Sequence, residues 1–374
     1  MAQREPNRRP ARRSRRWHPA DESDELVYSV CRRFLSETPK TKKGNAQAIA
    51  DWVREVFDQT DFTRERVYAT LWEAVRRDML FFRPPCELSL AEGIVSRFAL
   101  AQDRPDKNVV RVVNVRGNEA NTAVCEVGAD TVLELIERLA ASGKREVHIG
   151  FGAGASAMMV AKRLAKLIRS EVRCPNLVLH ALATGGFSVD NPTRDAPITY
   201  FGLFDDALVD VQYVGLFCPT VVECSRYEEL KNALGVRESF ARRGEIDIVV
   251  TSFAAADDDH GLLRRFLESA GGQDSLRLLA DEGWLGEIQF RPFSPRGPIL
   301  TDRGVRAVTL FEIAELVALA QTPGKSIVLL SAPCIRCGRT RTSALRAILR
   351  TPELAAWTHL VTDARTARDL LAQP

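Results

Sequence analysis

The stretch His148-Ile-Gly-Phe-Gly-Ala-Gly-Ala-Ser156 decides how this chain reads. Its first half is apolar and β-like, and its second half enters a helix that opens at Ser156. Glycine stands at alternate positions between them. Without Cβ atoms at Gly150, Gly152 and Gly154, the backbone can take unusual φ values, and an anion can approach amides at a helix N-terminus. Strand, glycine turn and helix together make an anion-site candidate at the start of an α/β unit.

Outward from that turn, apolar runs alternate with helical periodicity. Residues 109–115, 146–150, 177–182, 211–217, 246–251, 328–331 and 359–362 read as strands, and residues 131–141, 156–169 and 342–349 as helices. Strands alternating with helices of this length predict a parallel, doubly wound sheet, with ligands beyond the carboxyl ends of its strands. Polar or glycine-rich segments converge on that edge: the glycine loop, Thr184-Gly185-Gly186, residues 252–259 and residues 335–341.

Several chemistries are disfavoured. The loop spells GxGxG where a dinucleotide fingerprint needs GxGxxG, and the only acid about 20 residues on is Glu171, ahead of the next strand. Gly154-Ala155-Ser156-Ala157-Met158 does not complete a nucleophile elbow, and neither GxxxxGK[ST] nor HExxH occurs. His148 and His180 lie inside apolar strands, as core histidines do, while Asp257, Asp258 and Asp259 read as a helix-capping cluster. The eight cysteines are scattered. Cys334 and Cys337 form one CxxC, but no second pair or neighbouring histidine pair completes a zinc set, so no metal or cofactor is expected. The site reads as one for binding rather than turnover.

With 374 residues, 45% of them apolar and 27% charged, the chain predicts two packed domains. No apolar run approaches the roughly 18–20 residues of a membrane span, and the arginine-rich start lacks a signal peptide's apolar stretch. A cytoplasmic protein without membrane contact is the expectation. Before residue 90 there are 18 Lys+Arg against 14 Asp+Glu, so the slight positive charge is concentrated N-terminally. Residues 1–25, with Arg4, Arg8, Arg9, Arg12, Arg13, Arg15 and Arg16, read as a disordered tail.

Residues 26–88 then read as a three-helix domain. Ile49, Trp52, Val53 and Val56 form an apolar stripe, and Thr63 is an N-cap candidate for the next helix. There Val67, Leu71, Val75 and Met79, flanked by Tyr68 and Trp72, are expected to face the core. Arg66, Ala69, Thr70, Glu73 and Arg77 would face outward, with Arg64 at the N-terminal end. This is the pattern of a helix-turn-helix whose last helix enters the major groove, and equally of a protein-interaction module. Residues 80–83 read as a short strand stopped by Pro84-Pro85.

Taken in succession, the segments resemble the SorC family of bacterial sugar-responsive transcription regulators. The matches are Arg83-Pro84-Pro85 with the helix at 92–100, the glycine loop, Ala183-Thr184-Gly185-Gly186, residues 254–263, Gly286-Glu287-Ile288 through Phe293 and Gly297, and Leu360-Val361-Thr362-Asp363 with Thr366-Ala367. The resemblance implies a winged-helix-like front domain and, over 89–374, an α/β effector and oligomerisation domain of the sugar-phosphate-isomerase and CoA-transferase-like type. It implies assembly as a homotetramer or dimer. By the same resemblance Gly150, Gly154 and Ser156 would hold an effector phosphate, Gly185 and Gly186 would shape the pocket, and Glu287 would contact sugar hydroxyls; Gly152 joins the candidate effector site as a member of the glycine loop. Arg341 stands where the family carries a lysine, and Gly152, Ala155 and Cys337 also depart from its pattern. The expectation is therefore a regulator whose DNA affinity responds to a phosphorylated sugar, with Arg64, Arg66, Thr70 and Arg77 on DNA. A sugar-phosphate-isomerase-type enzyme and a metabolite sensor with a protein-binding front domain are the alternatives.

Overall fold

The computed structural model describes residues 17–36, 45–101, 106–169, 174–185, 196–269, 273–300 and 304–372. The chain divides into two compact units, Met1–Phe82 and Arg83–Pro374.

In the first unit, helices α1 (Asp24–Ser36), α2 (Asn45–Val56) and α3 (Arg64–Arg76) enclose Leu26, Val30, Ile49, Val53, Phe62 and Val67. Thr63 caps α3, its hydroxyl accepting from the Arg66 amide at 3.4 Å. The tail expected through residue 25 ends sooner than that. Trp17 lies beneath the Arg66 guanidinium at 4.6 Å and donates its indole N–H to Glu22, ahead of a 3-10 turn at Pro19–Asp21. Residues 1–16, which hold the seven tail arginines, lie outside the described residues.

The expected orientation of α3 is also corrected. Thr70 and Glu73 are buried, whereas Tyr68 is 43% and Trp72 75% exposed. The buried polar groups are satisfied locally, so burial is tolerated. Thr70 donates its hydroxyl to the Arg66 carbonyl at 2.8 Å, and Glu73 accepts from Arg76 at 2.6–2.7 Å and from Arg77 at 2.6 Å. Hydrogen bonding to Arg76, reinforced by Arg77, holds the Glu73 carboxyl down at about 2. No strand forms at residues 80–83. The first ladder contact after the prolines is the bridge from Cys86 to Val113.

The second unit is built on seven parallel strands. They are β1 (Val109–Val113), β2 (Glu146–Phe151), β3 (Asn176–Ala181), β4 (Val211–Val214), β6 (Ile248–Ala255), β11 (Ser326–Ser331) and β12 (His359–Asp363). Their spatial order is β1-β12-β11-β6-β2-β3-β4. From β2 the chain walks outward through β3 to β4, then returns to β6 on the other side of β2 and walks through β11 to β12, which slots between β11 and β1, the first strand of the chain. The junction of β2 and β6 is therefore the point where strand order reverses. Only three pairs are in register there: Ile149 with Ile248, Gly150 with Val249, and Phe151 with Val250.

The buried residues of these strands are mostly apolar, as in strands covered on both faces, with His148, His180 and His359 among the exceptions. Helix α5 (Glu119–Ala141) packs on the sheet beside α6 (Ala155–Arg169), and α4 is the shorter helix Leu88–Arg97. Helix α5 begins twelve residues before the periodicity expected from 131, because its first half buries small residues such as Ala120, Ala123 and Ala129 rather than a large-residue stripe.

Two additions interrupt the parallel plan. Strands β5 (Val221–Glu223) and β10 (Val305–Ala307) pair antiparallel as a separate ribbon. Strands β7 (Gly286–Ile288), β8 (Arg291–Ser294) and β9 (Gly297–Pro298) form an antiparallel meander on the end of β6. A Cβ on Gly286 would stand 2.6 Å from the Ala254 carbonyl oxygen and 2.7 Å from the Phe293 ring. The carbonyl is part of the β6–β7 ladder and cannot withdraw without breaking it. Gly286→Ala should therefore cost about 1–3 kcal/mol in denaturant unfolding, and unchanged stability would refute this packing.

Candidate functional site

Beyond Phe151 and Val250 the paired strands part, and a cleft of about 150 Å³ opens at the β2–β6 junction. One wall is the turn into α6, with Ala153, Gly154, Ala155 and Ser156; the other is the end of β6, with Thr251, Ser252, Phe253 and Ala254. Gly154 has φ +109°, and its amide and carbonyl meet the Tyr200 hydroxyl at 3.1 and 3.0 Å. The turn is thereby fixed with the first amides of α6 at the cleft.

The three glycines divide by role. Gly152 lies against β6, where an added Cβ would meet the Thr251 hydroxyl oxygen at 3.0 Å and the Val250 carbonyl at 3.3 Å. Gly150 is inside β2, facing Leu182. Neither lines the cleft, so the expectation that both cradle a ligand is corrected: their small size serves strand packing. Gly185 is likewise away from it, its carbonyl accepting from Thr220, and Gly186 lies outside the described residues. Gly154, Ser156, Glu287 and Arg341 do come together.

Glu287, on β7, is only 4% exposed. Burial pushes its carboxyl up to about 8, opposed by the Leu263 amide and the Arg341 charge. At neutral pH it is chiefly a carboxylic acid, able to donate as well as accept. Next to it, the β7–β8 turn carries Gln289 at φ 48° and Phe290 at φ 63°, left-handed conformations that two-residue hairpins usually give to Asn and Gly. Gln289 is buried, and neither amide atom has a hydrogen-bond partner. Across the cleft Asn121 of α5 donates to the Pro333 carbonyl at 2.8 Å and leaves its Oδ1 unpartnered. Buried orphan polar groups beside backbone strain mark a place shaped for a polar ligand.

Arg341 is clamped rather than free. Its guanidinium gives Asp258 two hydrogen bonds of 2.9 and 3.2 Å and the Phe253 carbonyl one of 2.9 Å. Arg339 joins the same two loops, donating to Asp259 at 3.0 Å and to the Asp257 carbonyl at 3.3 Å. The acidic run read as a cap is thus half of a two-arginine staple. Arg265 and Arg336, also at the cleft, have no carboxylate partner among the described residues. Sequence reading missed Asn121, Arg265 and Gln289, which come from elements far apart in the chain, whereas Arg336 falls in the segment 335–341 expected at this edge.

His148 and His180, read as core histidines, are buried and bonded to each other at 2.9 Å. On the first unit, Arg64 is exposed. Arg66 pairs with Asp61 at 2.6 Å, and Arg77 with Glu73 and Asp24 at 2.6 Å. Of the four residues expected on DNA, Thr70 is buried and two arginines are engaged within the unit.

No family model matches the chain, and no curated protein matches it in sequence. Solved structures do match its shape. The full-length sorbitol operon regulator SorC from Klebsiella pneumoniae superposes with a TM-score of 0.62 at 16% identity, over 94% of this chain and 100% of its own. This chain has the SorC fold. A DeoR family transcriptional regulator from Listeria monocytogenes matches at a TM-score of 0.51 and 14% identity, covering 76% of this chain and 98% of its own. A transcriptional regulator from Streptococcus pneumoniae matches at 0.55 and 16%, covering 76% and 96%. The match to SorC spans nearly the whole chain, whereas the other two cover a smaller share of it. Among the described residues no helix is long and apolar enough to cross a membrane.

Proposed function

We propose that this protein is a cytoplasmic, non-catalytic transcription regulator, assembled as a homotetramer or dimer, in which a phosphorylated sugar in the cleft alters the DNA affinity of the helical front domain. One observation carries this reading. A phosphate-sized approach to the α6 amides, flanked by Arg265 and Arg336, adjoins three buried hydroxyl-matching groups: Glu287, Gln289 and Asn121. The fold shared with SorC supports the regulatory role. Of the residues expected at the cleft, Gly154, Ser156, Glu287 and Arg341 belong to this reading, with Arg341 ordering the wall rather than meeting the ligand.

On DNA, Arg64 is the member of the expected set left available, at the N-terminal end of α3. A gel shift on the protein's own upstream region, with and without hexose and pentose phosphates, tests the whole proposal. The complex should weaken steeply with salt, and Arg64→Ala should flatten that slope by about one phosphate contact. Salt-insensitive binding, or a shift that no sugar phosphate changes, would count against it.

The cleft's own test is pH. Ligand affinity should fall as Glu287 ionises above about 8, and Glu287→Gln should bind with a flat profile through that range. Parallel profiles for the two proteins would remove Glu287 from the ligand's contacts. The raised carboxyl also favours a second reading, a sugar-phosphate-isomerase-type enzyme, because shifted acids in clefts are general acid candidates. Turnover of a pentose or hexose phosphate by the purified protein decides between the two.

A further inference from the structure

At the mouth of the cleft the CxxC acquires the third donor that its sequence neighbourhood lacks. An imidazole nitrogen of His260 and the sulfurs of Cys334 and Cys337 all lie within 4.8 Å of one another. Donors around one tetrahedral ion with two thiolates and an imidazole stand about 3.5–3.8 Å apart, so closure requires movements of about an ångström. We propose that His260, Cys334 and Cys337 bind a thiophilic divalent ion of the Zn2+ class, with a fourth position open to water or to a ligand oxygen in the cleft.

The loop around the cysteines is already folded for this. The Gly338 amide donates to the Cys334 carbonyl at 2.8 Å, and the Cys334 amide donates to the Arg339 carbonyl at 2.9 Å. Gly338 takes φ +69°, which closes the turn without a Cβ clash. The amides of Cys337 and Arg336 donate to the Cys334 sulfur, while burial, the larger influence, holds that thiol's pKa up. These are features of a metal-binding knuckle, in which the backbone both shapes the turn and disperses sulfur charge.

The histidine is held to the same standard. Its amide donates to Asp258 at 3.0 Å, and Asp258 is itself fixed by Arg341. The Arg339–Asp259 pair ties the cysteine loop to the histidine loop on the other side. Three donors are thus presented by two loops that two arginines lock together, and this preorganisation lowers the cost of gathering them. Sulfur and imidazole select against Mg2+ and Ca2+, which take oxygen. Two thiolates also neutralise the ion, so binding adds no net charge to a partly buried site. Cys334 and His260 line the cleft while Cys337 is exposed, so the open position falls on the cleft side.

Co2+ titration of the reduced, chelator-treated full-length protein tests the assignment. One Co2+ per chain, with thiolate-to-cobalt charge-transfer absorption and the intense visible bands of four-coordination, is expected, and Zn2+ should displace it. Cys337→Ser should remove most of the charge-transfer absorption, and His260→Ala should weaken uptake at least tenfold. Absent charge transfer, or uptake unchanged in either variant, overturns the site. Cyanide should shift the visible bands of the Co2+ form, and an unaltered spectrum overturns the open fourth position. A readout on the unmutated chain guards against variants that misfold. Zn2+ should protect Cys334 and Cys337, but not the exposed Cys86, from alkylation. Equal labelling with and without Zn2+, or a Cys334–Cys337 disulfide that blocks labelling without metal, overturns the proposal.

Discussion

Arg341→Met should destabilise the larger unit by about 3–5 kcal/mol, the range for breaking a buried ion pair from one side. The reason is what stays behind. Asp258 is 7% exposed and loses both of the hydrogen bonds that Arg341 supplies, while the Phe253 carbonyl at the end of β6 loses its donor. A charge stranded at that depth draws in water or a proton, and either opens the cleft wall. Urea unfolding monitored on the second unit would measure the loss. Pairing the change with Asp258→Asn should recover a large part of it, because the stranded charge is then gone; the coupling in this double-mutant cycle is the decisive quantity. A single-variant cost below about 1 kcal/mol would mean that the pair is solvated and that the staple does not order the cleft.

Acid should weaken the same unit well before its carboxylates are protonated. His180, bonded to His148, and His359, the first residue of β12, are almost wholly buried, and burial lowers both to about 4. A histidine depressed in the folded state binds its proton more readily when unfolded, between about 4 and its ordinary value near 6.5. Stability contributed by its neutrality is therefore present above about 6.5 and is lost as pH falls through that window. At 1.36 kcal/mol per unit the loss is about 3 kcal/mol for each residue. Glu287 runs the opposite way, since its raised carboxyl makes stability decline as pH climbs from about 4.5 to 8. The two trends together place the optimum near pH 6.5. A denaturant midpoint that stays flat from pH 6.5 to 4.5 would refute the histidine assignment, and His180→Asn should nearly flatten the acid side, because the remaining histidine is then offset by Glu287.

The parallel sheet was legible because its strands are short, predominantly apolar runs without helical periodicity. Residues 109–115, 146–150, 177–182 and 359–362 were placed to within a residue or two of β1, β2, β3 and β12. The meander β7–β9 was not legible, because its tight turn is Gln289-Phe290 where a hairpin usually announces itself with Asn-Gly. The face of α3 was misread for a related reason. Hydropathy places Trp72 inside and Glu73 outside, but two neighbouring arginines make Glu73 cheaper to bury than its type suggests.

At the cleft, Gly154, Ser156, Glu287 and Arg341 were recoverable because each stands in a motif-like segment. Asn121 was hidden in the unrecognised first half of α5, and His260 had no local signal to connect it with Cys334 and Cys337. Only the tertiary return of the chain brings those donors together.

The ladder between β2 and β6 has a consequence of its own. With three pairs in register, against six between β2 and β3 and five between β6 and β11, it is the narrowest join in the parallel sheet. Everything from β2 to β4 hangs on one side of that seam, and β6, β11, β12 and β1 on the other. A molecule seated where the two strands part touches the α6 turn with one end and the β6 side with the other, and so acts as a clasp across the seam. Its occupancy is then written into the cohesion of the whole sheet, which lets a small ligand make itself felt far from the atoms it touches.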